Sequence, residues 1–166
     1  MIFVTVGTHE QPFNRLIKKV DNLVANGDIK EKVIIQTGFS TYIPKHCEAH
    51  KMMSFEEMQQ TLKDARIVIT HGGPSSFIEA LQYGKVPIVV SRQEKFHEHV
   101  NNHQMDFTKL IAERMNNVIP VYDIDDLKKT IDDYDEIAKT KSHGESSNNK
   151  QFNKKLEEII DGLFEK

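Results

Sequence analysis

Cys47 is the only cysteine in 166 residues, so no internal disulfide can form and a reducing compartment fits best. Long apolar runs are missing too. No stretch approaches the ~20 residues that a membrane span requires, and the opening MIFVTVG is too short and too soon interrupted to act as a signal peptide. Basic charge is not in excess: the formal net charge is −3 and no long Lys/Arg run occurs, which argues against a nucleic-acid partner. The first apolar run is not followed by G-x-G-x-x-G. GTHEQP stands there instead, and an NAD-dependent Rossmann enzyme is disfavoured. With 38% apolar and 28% charged residues, the composition is that of an ordinary soluble protein, and the length fits one domain with a real core. The expected location is the cytoplasm, with any work at a membrane depending on a partner or a surface contact.

What is present is an alternation. IFVTVG (Ile2 to Gly7), KVIIQTG (Lys32 to Gly38), ARIVIT (Ala65 to Thr70), VPIVV (Val86 to Val90) and NVIPVY (Asn117 to Tyr122) are short β-branched runs suited to buried parallel strands. Between them lie helical stripes. Phe13, Leu16, Ile17, Val20, Leu23 and Val24 form the first, closed by Asn26 and Gly27. Ser54 with Glu57 three residues on is a capping-box pattern for a helix running to about Lys63. Phe77, Ile78 and Leu81 follow Pro74, a good first-turn residue, and Gly84 can end that helix. A further helix is expected through Leu110 and Ile111, and Asp123 can cap a short one containing Leu127 and Ile131. Residues 39–51 read as irregular. The pattern predicts a doubly wound α/β domain over residues 1–138 with a mainly parallel, Rossmann-like sheet. A polar linker over 139–149 follows, then an amphipathic C-terminal helix over 150–166 carrying Phe152, Leu156, Ile159, Ile160, Leu163 and Phe164. Ligands in such sheets bind beyond the carboxyl ends of the strands, where the turns at Gly7, Gly38 and Gly72–Gly73 are expected.

The stretch HGGPSSFIEALQYGKVPIVV, followed by HEHVNNHQ, resembles the nucleotide-sugar half of two-domain GT-B glycosyltransferases, in the family 28 C-terminal-domain branch. The start IFVTVGTHEQPFNRLIKKVD is similar to that of the small catalytic subunits of split transferases in capsular and exopolysaccharide synthesis. The resemblance spans about Met1 to Tyr122. It implies a UDP-sugar donor, an inverting transfer to a lipid-linked saccharide acceptor, and a membrane-anchored partner subunit that supplies the acceptor half. The chain would then sit in the cytoplasm, peripheral to the inner face of the membrane. No cofactor is implied beyond the donor, and no required metal.

The resemblance also distributes roles. Glu79 would accept both ribose hydroxyls; its plain alternative is a solvated surface glutamate near a helix N-terminus. His71, Gly72, Gly73, Ser75 and Ser76 would form the diphosphate loop, with backbone N–H groups and hydroxyls as donors at a helix N-terminus; ordinary turn and cap chemistry uses the same residues. Gly7 and Thr8 would close the other side of the diphosphate. Ser54 and Phe55 match the uracil-reading position, although Phe55 can equally be a core residue. His103 and Gln104 match the positions that contact sugar hydroxyls, or are solvated helix residues.

Two readings stay open from residue type alone. His97, His99 and His103 have spacing that suggests a metal cluster, yet no cysteine and no Glu-x-x-His signature completes it, so no metal site is expected. His9, with Glu10 beside it, could be the general base that takes the acceptor proton, could orient phosphate, or could cap the next helix. The functional alternative is a non-catalytic nucleotide-sugar-binding regulatory subunit whose partner performs the chemistry.

Overall fold

The computed structural model describes residues 1–141 together with Lys154 and Glu158. Its centre is a sheet of six parallel strands: β1 (Ile2–Thr5), β2 (Val33–Gln36), β3 (Glu48–His50), β4 (Ile67–His71), β5 (Ile88–Val90) and β6 (Ile119–Val121), in the order β3-β2-β1-β4-β5-β6. Ile2 pairs with Val33 on one side and Ile67 on the other; Ile69 pairs with Ile88, and Ile88 with Ile119. The order reverses between β1 and β4. That switch point opens a crevice at the carboxyl edge of the sheet.

Alternation along each strand decides which helix covers which face. Ile2 and Val4 point with Ile67, Ile69, Ile88 and Val90 to one side. There they meet Leu16, Ile17 and Val20 of α1 (Asn14–Ala25), Leu127 and Ile131 of α5 (Leu127–Asp132), and Tyr134 of α6 (Tyr134–Ala138). Phe3 and Val68 point to the other side, against Leu62 of α2 (Phe55–Asp64) and Ala80 of α3 (Pro74–Gln82). Val89 joins Phe77 and Leu81 of α3 with Phe107 and Ile111 of α4 (His103–Met115). Strands buried on both faces need continuous apolar runs, which is why these segments read so plainly.

Ser54 caps α2 with a complete capping box, and Asp123 accepts from the Asp125 N–H to start the 3-10 turn that leads into α5. The irregular reading of 39–51 needs correction. Glu48–His50 is an edge strand, paired only with β2. It lacks an apolar pattern because its residues are exposed or half-buried. The rest of that segment is pinned to α1 by Asp21, which accepts from the Tyr42 hydroxyl at 2.7 Å, from His46 N at 2.8 Å and from Lys45 N at 3.1 Å. Burial pushes the Asp21 carboxyl up, but these donors outweigh it and hold it below the usual carboxylate range.

The α6 helix is another element that the sequence pattern did not announce. The turn after it is tied to the end of α4: Asn116 Nδ2 donates to the Thr140 carbonyl and Lys141 Nζ reaches Asn116 Oδ1. The expected C-terminal stripe lies outside the described residues; Lys154 and Glu158 are helical and exposed. Among the described residues, no helix is long and apolar enough to cross a membrane.

Candidate functional site

The crevice at the switch point is a cavity of about 520 Å³, a size ordinary for small-molecule sites. One wall is the turn after β1, with Gly7, Thr8 and His9; the opposite wall is the start of α3, with Ser75 and Ser76, and then Glu79. Thr5 and Gln36 line the floor as polar ends of otherwise apolar strands, joined by a hydrogen bond from the Thr5 hydroxyl to Gln36 Oε1. Met53, Phe55, Met58 and Leu62 close the apolar side.

Two glycines make room for the imidazole at the centre. Gly7 holds φ +71°, and a Cβ there would lie 2.3 Å from His71 Nε2. Gly73 has an ordinary φ of −70°, so its requirement is space alone: a Cβ would lie 2.2 Å from His71 Cε1. His71 ends β4, is 6% exposed, and is held neutral, its pKa pushed down to about 3 by burial and by the nearby Arg92 charge. Its Nδ1 accepts from Gly73 N at 3.3 Å, so the proton of the neutral ring sits on Nε2, which lies 2.9 Å from Ser76 Oγ. Ser76 Oγ accepts that proton and can turn its own hydroxyl hydrogen into the cavity. Pro74 opens α3 and contributes no N–H; Ser76 N and Phe77 N turn back to the Gly73 carbonyl at 3.2 and 3.5 Å, which leaves the Ser75 N–H as the first-turn donor at the cavity wall. Anions are favoured there.

Glu79 lies on the second turn of α3 and lines the cavity, where burial raises its carboxyl above the usual range. A half-buried carboxylate at a cavity wall suits a pair of hydroxyl donors better than the solvated surface role.

Gln104 lines the cavity but is occupied in building it. Its Oε1 accepts from Gly72 N and from Arg92 N, both at 3.1 Å, tying the glycine loop to the chain after β5, and its Nε2 lies 3.3 Å from His71 Nδ1. This is a positional role, held by a residue that still lines the cavity where the sugar contact is expected. His103 lines a separate recess of about 210 Å³ behind the glycine loop, with Gly72, Pro74, His99 and Asn101. Ser54 stands outside the main cavity, its hydroxyl accepting from Glu57 N as a helix cap. Phe55 is 72% exposed at the rim, which removes the core reading. Glu10 is exposed and does not line the cavity.

His9 does not cap α1, whose first turn follows Phe13. Its Nε2 lies 2.9 Å from Gln11 Oε1, and its ring stacks on His99 at 4.6 Å between centroids, 10° from parallel. His99 thus stacks on His9 and shares the smaller recess with His103, and among the described residues no group of three or more His, Cys, Asp or Glu is placed to hold a metal ion.

The sequence reading missed the frame behind these loops. Arg92, 1% exposed, donates to the carbonyls of Val6 at 2.7 Å, Gln11 at 2.6 Å and Glu98 at 3.1 Å. Burial lowers its pKa to about 10, with Glu98 working the other way. Arg15 of α1 grips the Glu98 carboxylate with both Nε and Nη2, at 3.0 and 2.9 Å. Together they lock the turn after β1 and the chain after β5 into one rim. An arginine two residues past an apolar strand is the local signal for this.

Comparison with known proteins fits this geometry. A family model described as the glycosyltransferase family 28 C-terminal domain matches residues 1–161. The mouse (Mus musculus) UDP-N-acetylglucosamine transferase subunit ALG13 is 33% identical over 119 residues, covering 64% of this chain and 9% of the mouse protein. The human (Homo sapiens) subunit of the same name is 32% identical over 125 residues, covering 65% and 10%. The chain therefore spans about a tenth of the length of these relatives. Among solved structures, an NMR structure of ALG13 is similar with a TM-score of 0.60 at 18% identity, covering 93% of this chain and 94% of that one. Acinetobacter baumannii MurG is similar at 0.59 and 13%, covering 98% and 49%. These structural likenesses speak to the fold, a GT-B C-terminal half. The chain belongs to the glycosyltransferase family 28 C-terminal domain family.

Proposed function

We propose that the cavity takes the donor of an inverting glycosyl transfer, a UDP-sugar, and that this chain is the donor-binding catalytic subunit of a two-subunit enzyme. One observation carries the reading. A single cavity joins a glycine turn and a helix N-terminus, both suited to a diphosphate, to a half-buried carboxylate at Glu79, suited to ribose hydroxyls. The name of the mouse and human relatives, a transferase subunit using UDP-N-acetylglucosamine, supports both the donor class and a partner.

During transfer, negative charge grows on the departing diphosphate. The Ser75 N–H at the start of α3, the Ser76 hydroxyl and the Thr8 backbone in the turn opened by Gly7 form a fixed set of donors for it, preorganised by His71 and Gln104. The acceptor hydroxyl attacks the anomeric carbon from the opposite side. On this reading a membrane-anchored partner holds the acceptor, a lipid-linked saccharide of capsular or exopolysaccharide synthesis, and keeps the chain at the cytoplasmic face. A thermal-shift panel of UDP, UDP-sugars and NAD tests the donor class: UDP and at least one UDP-sugar raise the melting temperature and NAD does not. Stabilisation by NAD with no response to UDP defeats the proposal.

A further inference from the structure

The cavity is built for an anion, yet among the described residues no lysine or arginine lines it. Arg92 lies behind the rim with its guanidinium directed to the carbonyls of Val6, Gln11 and Glu98, and Arg15 is engaged by the Glu98 carboxylate. Two titratable bases remain in the lining, His71 and His9. His71 is buried and its ring nitrogens are both occupied, by Gly73 N and by Ser76 Oγ. His9 is only half-buried and stands on the diphosphate side of the cavity.

The surroundings of His9 specify how it can take a proton. The amide oxygen of Gln11 only accepts, so the Nε2 it faces carries the proton of the neutral ring. Nδ1 is left for a second proton. The Gln11 backbone is held in turn by Arg92. The face of His9 is covered by the parallel ring of His99. A cation over a neutral aromatic face is stabilised, whereas two imidazolium rings at that spacing repel each other.

We propose that the His9–His99 stack is a one-proton device for the diphosphate: binding of a nucleotide-sugar draws one proton onto His9 Nδ1, and the resulting imidazolium supplies the positive charge that the cavity otherwise lacks. His99 is the positioning partner that stays neutral beneath it. This deepens the donor-site reading and rests on it, and it assigns His9 to the leaving group rather than to the acceptor proton. The charged and titratable groups around the pair are consistent with one neutral member. Arg92 from the chain after β5, His103 from α4 and His9 itself all add to burial in depressing the pKa of His99, and Asn101 works the other way. His71 stands on β4, and Glu79 on α3 lines the same cavity.

Calorimetric titration with UDP-N-acetylglucosamine, in buffers of different ionisation enthalpy, counts the protons directly. The diphosphate of this ligand is a diester without a proton to lose near neutrality, so uptake reports on the protein. The expected result is uptake of up to one proton, peaking between about pH 6.5 and about pH 8, with affinity falling about tenfold across that window. His9→Gln abolishes the uptake and flattens the pH dependence, leaving weaker binding; this separates His9 from Glu79. His99→Phe keeps a stacking face without a second titrating ring and retains the uptake. Binding without uptake overturns the proposal and leaves the donor-site reading standing. Uptake that survives in His9→Gln, or that vanishes only in His99→Phe, places the proton elsewhere and overturns it as well. No binding at any pH overturns the donor site and this inference together.

Discussion

Glu79 and Arg92 show two ways in which a charged side chain can belong to a binding site. Glu79 lines the cavity, and burial alone raises its carboxyl, so a ligand that donates hydrogen bonds to it relieves that desolvation. Glu79→Ala is expected to leave the fold intact. Loss of two charge-assisted bonds at ~1.5–3 kcal/mol each should weaken UDP-sugar binding by about tenfold or more. Calorimetry on the variant checks this, and unchanged affinity returns Glu79 to a surface role. Arg92 never reaches the cavity, but three backbone carbonyls of its rim depend on it. Arg92→Met leaves those carbonyls without their donor, and a loss of about 3 kcal/mol or more in urea unfolding is expected, with UDP binding lost alongside. A variant of wild-type stability that binds normally contradicts that account.

The turns and short elements carry the next level. Gly7→Ala places a methyl group against the His71 ring at a backbone angle that L-residues avoid, so both the turn and the imbedded imidazole must move. The chain after β2 depends on Asp21 instead. Its folded pKa is depressed, so its contribution is fully present above the unfolded carboxylate pKa of about 3.9 and is lost as pH falls through the lower folded value. Asp21→Asn should therefore cost about 2 kcal/mol or more at neutral pH. The difference from wild type should shrink as pH falls below about 4. Urea denaturation of both proteins across pH measures it; a difference independent of pH refutes the ionic reading of this latch. Much of these elements was legible beforehand. The capping box at Ser54 and Glu57, Pro74 at the start of α3 and the stripe of α1 are local patterns with local causes. β3 was not legible, because three exposed or half-buried residues need no apolar periodicity to add to a sheet edge.

At the scale of the molecule, the cavity is open on one side, and positioning an acceptor hydroxyl against an anomeric carbon can supply ~7–11 kcal/mol of a barrier. On the proposed reading the isolated chain transfers sugar to a lipid-linked acceptor slowly or not at all, and membranes carrying the partner restore transfer. Full turnover by the isolated chain defeats the two-subunit reading. On the same reading EDTA is expected to leave UDP binding and transfer intact, because helix and loop donors would take the diphosphate; zinc bound stoichiometrically, with activity lost on its removal, overturns that.

The sequence by itself determined the class of fold, and with it the edge of the sheet where a ligand is expected. Apolar strands ending in glycine and alternating with helical stripes admit few arrangements besides a doubly wound parallel sheet, and such a sheet binds ligands at its carboxyl edge. Only the tertiary structure decided which of those ends meet. The strand order places Gly7 against His71 and Gly73. It lets Arg92 reach Val6, 86 residues away, and makes Gln104 a brace of the glycine loop. The physical reason is one of range: periodicity and capping are written in spacings of a few residues, whereas burial of a guanidinium among distant carbonyls, or the stacking of His9 on His99, exists only once separate loops converge.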